Sequence, residues 1–163
     1  MTFMSTLTIA VDDLSGPEVA AFLDEHLQDM RATSPPESKH ALDLDGLRSP
    51  EVVFWTVHDG GDLVGCGALK RIGVRHAELK SMRTRAARKR SGVASALLEH
   101  ILGEARRSGF DRVSLETGSA EFFAPARALY AKFGFVYCEP FAGYELDPNS
   151  VFMTRDLLVS PVR

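Results

Sequence analysis

Six consecutive residues, Lys89, Arg90, Ser91, Gly92, Val93 and Ala94, have the composition of an anion-binding turn. Basic residues come first and small ones follow. An apolar pattern at helical spacing then begins: Val93, Ala94, Leu97, Leu98, Ile101, Leu102 and Ala105. That spacing predicts a helix with one buried flank and an open first turn. The unpaired amides of a helix start, aided by the dipole, attract negative charge. Gly92 and Ala94 would let an anion reach the backbone with no bulky side chain in the way. The chemistry predicted for this stretch is phosphate binding.

The charge pattern around it agrees. Nine of the 19 Lys and Arg residues lie between Lys70 and Arg90, where Glu78 is the sole acid. A local basic field around a glycine turn suits a polyphosphate ligand, although a solvated basic face has the same pattern. The formal net charge of −3 and the absence of a lysine-rich arm argue against nucleic-acid binding. Cys66 and Cys138 form no C-x-x-C pair and have no histidine at metal-ligand spacing, so no metal site and a reduced, cytoplasmic setting are expected. The first residues carry no signal-peptide pattern, and no apolar run has the length of a membrane span. Ser81, Ser91 and Ser95 lack the context of a nucleophile elbow, which disfavours an acyl-enzyme.

At 163 residues the chain reads as one domain, 1–163. Leu7 to Val11 is a first strand. Ser15-Gly16-Pro17-Glu18 opens a helix, with Ser15 and Glu18 at capping-box spacing. A short helix carrying His40, Ala41, Leu42 and Leu44 follows Pro36. Val52 to Val57 and Leu63 to Ile72 form a hairpin around Asp59-Gly60-Gly61-Asp62, with Gly65 and Gly67 marking a bend or a close backbone approach. His76 to Thr84 is the strand that runs into the basic turn. The long helix ends at Gly109, a left-handed cap. Arg112 to Thr117 is a strand, a helix carries Leu129, Tyr130 and Phe133 to Gly134, and Phe135 to Cys138 is a strand. A loop spans 139–150 before a last strand, Val151 to Thr154. The order indicates a single α+β (mixed α/β) domain.

With these residues in this order, the chain resembles the GNAT superfamily of acetyl-CoA-dependent N-acetyltransferases. The resemblance is strongest from Ala77 to Phe135. The family's Q/R-x-x-G-x-G/A signature stands here as Lys89-Arg90-Ser91-Gly92-Val93-Ala94, with lysine in the first place. A second mark, A-x-x-L-Y-x-x-x-G-F, stands as Ala126 to Phe135. Phe123 occupies the place where asparagine is frequent. The resemblance implies a central mixed, mostly antiparallel sheet splayed in its middle and flanked by helices. It also implies acetyl-CoA in the gap as cosubstrate, with the pyrophosphate on the amides of Arg90 to Ser95. The pantetheine arm would pair with the edge of Met82, Arg83 and Thr84. It implies no metal, and the last strands would be a place for a homodimer to form.

Transfer to an amine needs a proton removed from the ammonium, a polarised thioester carbonyl, a donor for the oxyanion and an acid for the thiolate. Tyr130 stands at the family's tyrosine position, and a phenol stays protonated at neutral pH, so it is the candidate acid. A tyrosine on an apolar helix stripe is also an ordinary core residue. Glu78 is the candidate base, acting through a water. It would otherwise pair with Lys80, Arg83 or Arg71 across the sheet. Glu116 is the rival base. His40 and His76 titrate near neutrality but are as readily packed residues. By analogy, the acceptor, a small-molecule or peptide amine, would meet Glu37, His40, Trp55, Glu116 and Tyr144, with Phe141 and Glu145 nearby. Competing readings are an acyl-CoA-binding sensor with catalysis lost and an interaction protein with an incidental basic turn. A dinucleotide-binding domain is disfavoured, because the turn holds one glycine and lies late in the chain.

Overall fold

The computed structural model describes residues 7–33, 44–85, 88 and 91–159. In chain order the elements are β1 (Leu7–Val11), α1 (Pro17–Thr33), α2 (Leu44–Leu47), β2 (Val52–Asp59), β3 (Asp62–Arg71) and β4 (His76–Thr84). They continue with α3 (Val93–Arg107), β5 (Arg112–Gly118), a 3-10 turn (Glu121–Phe123), α4 (Ala124–Lys132), β6 (Val136–Cys138) and β7 (Ser150–Asp156). The strands form one seven-stranded sheet in the order β1-β2-β3-β4-β5-β7-β6. Among the described residues β4 and β5 make the only parallel pair.

Strand alternation sends neighbouring side chains to opposite faces, and both faces are covered. Phe54, Leu63, Cys66 and Ala68 share a core with Leu14 of the loop before α1, Val19, Phe22 and Leu23 of α1, and Leu47 of α2. Trp55, Leu79, Val113 and Leu115 meet the buried flank of α3, Leu97, Leu98, Ile101 and Leu102. The predicted period of α3 is therefore realised.

The sheet opens between β4 and β5. They pair from His76–Arg112 to Leu79–Leu115, and beyond that β4 runs on to Thr84 and β5 to Gly118 without pairing. A β-bulge lies where they part. Lys80 pairs with Ala68 and Arg83 with Cys66, so Ser81 and Met82 together oppose Gly67. Ser81 takes the extra turn with a φ of +57°. Gly67 leaves room there for side-chain ends: a Cβ would lie 2.7 Å from Met82 Sδ and 3.0 Å from Ile101 Cδ1, which would have to shift. This is the close approach anticipated for the two glycines of β3.

Two helix ends share one device. At the end of α3, Gly109 N–H donates to Arg106 O and Phe110 N–H to Ala105 O; at the end of α4, Gly134 N–H donates to Ala131 O and Phe135 N–H to Tyr130 O. Both are Schellman motifs closed by a positive-φ glycine. The start of α1 differs from expectation. The Ser15 hydroxyl donates to Asp13 at 2.6 Å, and Glu18 lies 3.7 Å from His58 Nε2, so no capping box forms between them. The local Asx-type turn over Asp13 competes successfully for the serine. The helix expected around His40 falls largely outside the described residues, and α2 begins at Leu44.

Candidate active site

The splay between β4 and β5 opens into a cleft of about 390 Å³. One wall is the end of β4, Met82, Arg83 and Thr84; a second is the start of α3, Gly92, Ala94 and Ser95. The third wall comes from Phe122 and Phe123, then Pro125, Ala126, Leu129 and Tyr130, and Asp29 of α1 also lines the cleft.

Gly92 caps α3 in the left-handed region (φ 89°, ψ 0°), and among the described residues no side chain caps the free amides of the first turn. A Cβ at Gly92 would meet no atom within 4 Å, so the space over the turn is open. A fifteen-residue helix thus presents uncapped N–H groups to a cleft, the arrangement that holds anions. The side chain of Val93, the first residue of α3, is buried, so Val93 can offer its amide only. The Ser91 hydroxyl donates to Arg88 O. Lys89 and Arg90 lie outside the described residues.

The end of β4 offers backbone. Arg85 N–H donates to Val64 O at 2.8 Å, and Arg83 pairs with Cys66. Alternation along the ladder turns the N–H and C=O of Thr84 the other way, into the gap.

Tyr130 is placed by the end of its own helix. Its carbonyl accepts the Phe135 N–H of the Schellman motif, and the Phe135 ring lies edge-on to it at 5.8 Å. This gives the Leu-Tyr-x-x-x-Gly-Phe run a physical reason: the glycine turns the chain and the phenylalanine returns to fix the tyrosine. Burial alone pushes the phenol up to about 12, so it holds its proton through the neutral range.

The basic stretch does not form one field. Arg83 Nη1 donates to Asp29 (2.6 Å) and Nη2 to Glu25 (3.1 Å), both on α1. Arg85 donates to Leu63 O, and Arg88 pairs with Asp59 at 2.7 Å. Arg71 stacks over Phe110 at 4.4 Å at the far end of the hairpin. Linear proximity of these described cations is dispersed over α1, β2 and the hairpin.

Glu78, Lys80 and Tyr144 form a separate closed cluster. Lys80 Nζ donates to Glu78 Oε2 (3.1 Å) and to the Tyr144 hydroxyl (2.9 Å), and that hydroxyl donates to Glu78 Oε2 (2.8 Å). Glu78 and Lys80 lie two residues apart on one face of β4, and both are buried. Tyr144 comes from the 139–149 loop, where Ala142 (φ 52°) and Gly143 (φ 83°) make a tight turn closed by Tyr144 N–H to Phe141 O. Burial, then the Glu78 charge and its hydrogen bond, then Glu116, raise the Tyr144 phenol. Phe141 and Phe152 pack around its ring at 5.4 and 5.9 Å. Glu116 follows on β5, half-buried, in register with Phe152.

The model of the Acetyltransferase (GNAT) family matches residues 19–135, well over half of the chain. The chain belongs to this family. It is an acetyltransferase, and its splayed sheet is the GNAT fold. It is 56% identical to the uncharacterized N-acetyltransferase YsnE of Bacillus subtilis, over 91% of this chain and 99% of that protein. It is 38% identical to an IAA acetyltransferase of Azospirillum brasilense, over 83% and 86% of the two chains. Among solved structures it is similar to a putative acyl-CoA N-acyltransferase from Klebsiella pneumoniae, with a TM-score of 0.74, 26% identity, and 93% and 97% of the chains covered.

Within this GNAT domain the expected residues divide into groups. Met82, Arg83, Thr84, Gly92, Ala94, Ser95 and Tyr130 share the cleft. Glu78, Tyr144 and Glu116 gather beside it, and none of them is in its lining. Glu37 and His40 lie outside the described residues. Trp55 is a correction: it is buried in the core, edge-on to His100 at 6.2 Å, and faces a different cavity between β1, β2 and α3. Being one position from Phe54, it was bound to take the face opposite α1. His76 is a packed residue, 2.6 Å from Ser114 Oγ, and lowered by burial and by Arg112. Sequence reasoning missed Asp29 and Phe122 as cleft residues. An aromatic pair just before a helix start was a signal for the second; nothing local marked the first. No helix among the described residues is long and apolar enough to cross a membrane, and no group of three or more candidate metal ligands occurs among them.

Proposed function

We propose that this enzyme transfers an acetyl group from acetyl-CoA to a primary amine, on a small molecule or a peptide, by direct attack in a ternary complex. The observation that carries the proposal is the sharing of one cleft by the open amide turn at Gly92, the free backbone edge at Thr84 and the buried phenol of Tyr130. These residues fit the cosubstrate: uncapped amides for its pyrophosphate, a strand edge for its arm and a protonated acid for its sulfur. When bound, acetyl-CoA supplies the thioester that is attacked.

The backbone amides at Met82 to Thr84 meet the developing oxyanion. Glu78 receives a proton of the amine through a water, and Lys80 and Tyr144 hold its carboxylate in place. The amine nitrogen forms the new bond to the acetyl carbon as the carbon–sulfur bond breaks. The electron pair of that bond goes to sulfur, and Tyr130 protonates it. The ammonium's first proton leaves to solvent before attack, Glu78 returns the second, taken as the bond forms, to solvent, and the phenol regains its proton from solvent. Glu116 and Tyr144 flank the acceptor.

A screen of primary-amine acceptors with acetyl-CoA tests the reading, with IAA, named for the Azospirillum relative, run beside it as an acceptor that is not a primary amine. With any acceptor found, Tyr130→Phe is expected to lower kcat by roughly 100-fold, the scale of a lost general acid, with cosubstrate affinity retained. An unchanged kcat would remove Tyr130 from the chemistry. Tight binding of acetyl-CoA with no turnover of any acceptor would point to a sensor.

A further inference from the structure

A second cavity lies towards the other end of α3. It encloses about 370 Å³ and shares no lining residue with the cleft. The cleft takes Gly92, Ala94 and Ser95 from the helix start, whereas this cavity takes His100, Glu104 and Ser108, each four residues from the last. Its apolar lining comes from Ile9 and Val11 of β1, Val53 and Trp55 of β2, Leu69 of β3, and Phe110. Trp55 and Leu69 are buried, while Val53 is 41% and Val11 68% exposed, so apolar surface continues from the core out to solvent. An apolar hollow of this size with a few polar groups is the usual form of a small-molecule site.

Two of the polar residues decide what it takes. Arg71 N–H donates to Glu51 O at 2.9 Å, one step beyond the Val52–Lys70 pair. Glu51 and Arg71 are therefore opposed across β2 and β3, on the face that carries Val53 and Leu69. Opposite charges in such positions ordinarily pair. Here they do not: among the described residues the Glu51 carboxylate makes no hydrogen bond and no ion pair. Arg71 is engaged elsewhere. Its Nη1 donates to Val74 O (2.7 Å) and to Gly73 O (3.4 Å), and its guanidinium lies over the Phe110 ring at 4.4 Å. These contacts hold the side chain and leave Nε and Nη2, the donors along one edge of the guanidinium, without a partner among the described residues. The remaining charged groups are already in use, since Glu104 bonds Arg107 at 2.9 Å and lies 4.0 Å from His100. The cavity thus offers one unpaired carboxylate and one held guanidinium edge, side by side, next to apolar surface.

We infer that this cavity binds a free α-amino acid with an apolar side chain. Its ammonium meets Glu51, its carboxylate takes the fork of Arg71 Nε and Nη2, and its side chain packs on Val53, Trp55 and Leu69. A simple amine would leave the Arg71 edge unused, and a simple acid would be opposed by Glu51. A zwitterion carries both charges on one carbon beside its apolar group. The site is separate from the cleft and does not rest on the use of acetyl-CoA.

Trp55 is the only tryptophan of the chain, so its fluorescence reports on this cavity and not on the cleft. Titration of the full chain with L-leucine is expected to change that emission saturably, over the same concentrations at which equilibrium dialysis shows a site filling. Isopentylamine lacks the carboxylate and 4-methylpentanoate lacks the ammonium. Each is expected to bind at least roughly 10-fold more weakly, the scale of a lost charge-assisted hydrogen bond. Glu51→Gln is expected to weaken L-leucine by a similar factor without weakening 4-methylpentanoate. Arg71→Gln is expected to weaken L-leucine and 4-methylpentanoate and to leave isopentylamine unchanged. Both positions are exposed, so neither change disturbs the core. L-leucine bound no more tightly than its two halves would overturn the inference. So would equal binding by wild type and both variants, which would put the amino acid elsewhere, as an acceptor in the cleft. Absence of binding at millimolar L-leucine in dialysis would overturn it as well.

Discussion

The cleft and the cluster beside it are built on opposite plans. In the cleft, Arg83 and Asp29 pair with each other, while the amides at the start of α3 and the phenol of Tyr130 face it among apolar and aromatic walls. In the cluster, Glu78, Lys80 and Tyr144 are side chains that satisfy one another in a closed triangle. The first arrangement has hydrogen-bonding capacity to give to a ligand. The second has spent most of its capacity internally. A group for binding must be left partly unsatisfied by the fold, and a helix N-terminus achieves that without burying a charge. A group for holding geometry must be satisfied, because a buried charge without a partner is costly.

Several experiments sharpen this contrast. The largest effect is expected in the cluster. Lys80→Met leaves the Glu78 carboxylate buried without its counter-charge, and should cost about 3–5 kcal/mol of stability. Adding Glu78→Gln to it should restore much of that loss. Urea denaturation of the two variants measures both. A Lys80→Met protein as stable as wild type would show that the triangle is an exposed surface pair in effect, and the contrast would fail.

A smaller effect is expected from the cleft's phenol at high pH. Tyr130 is raised above its unfolded value near 10 to about 12, because the folded state disfavours the phenolate. Its contribution is therefore fully present below pH ~10 and is lost as pH rises towards 12, where the unfolded chain binds fewer protons than the native one. Tyr130→Phe should flatten this alkaline fall in stability, measured as the urea midpoint between pH 8 and 11. An identical fall in the variant would mean that the Tyr130 hydroxyl is in contact with solvent.

What was legible in the sequence follows how local each signal is. The α3 turn and Tyr130 could be found because their causes lie within a few residues. Gly92 precedes an amphipathic run, and Gly134-Phe135 closes a Schellman motif over Tyr130. The openness of the sheet was expected through resemblance; its local cause, the bulge at Ser81–Met82 over Gly67, was visible only as a glycine in a strand. The partner of Glu78 was left open among three cations. Strand alternation favours Lys80, but the choice depends on a tyrosine 66 residues away in a loop. The basic stretch misled most. Nine cations in 21 residues suggested a field, yet Arg83 of β4 is set against acids of α1, and Arg88 beyond β4 against Asp59 of β2, acids that no local pattern connects to them.

The central claim is that the open turn at Gly92 holds the pyrophosphate of acetyl-CoA. Calorimetric binding of acetyl-CoA to wild type and to Gly92→Glu tests it most directly, with thermal unfolding of both as the control for folding. Micromolar binding to wild type, lost in a variant that still unfolds cooperatively, is the expected result. Equal binding to both proteins would place the cosubstrate elsewhere on the molecule, and no binding to wild type would contradict the use of acetyl-CoA altogether.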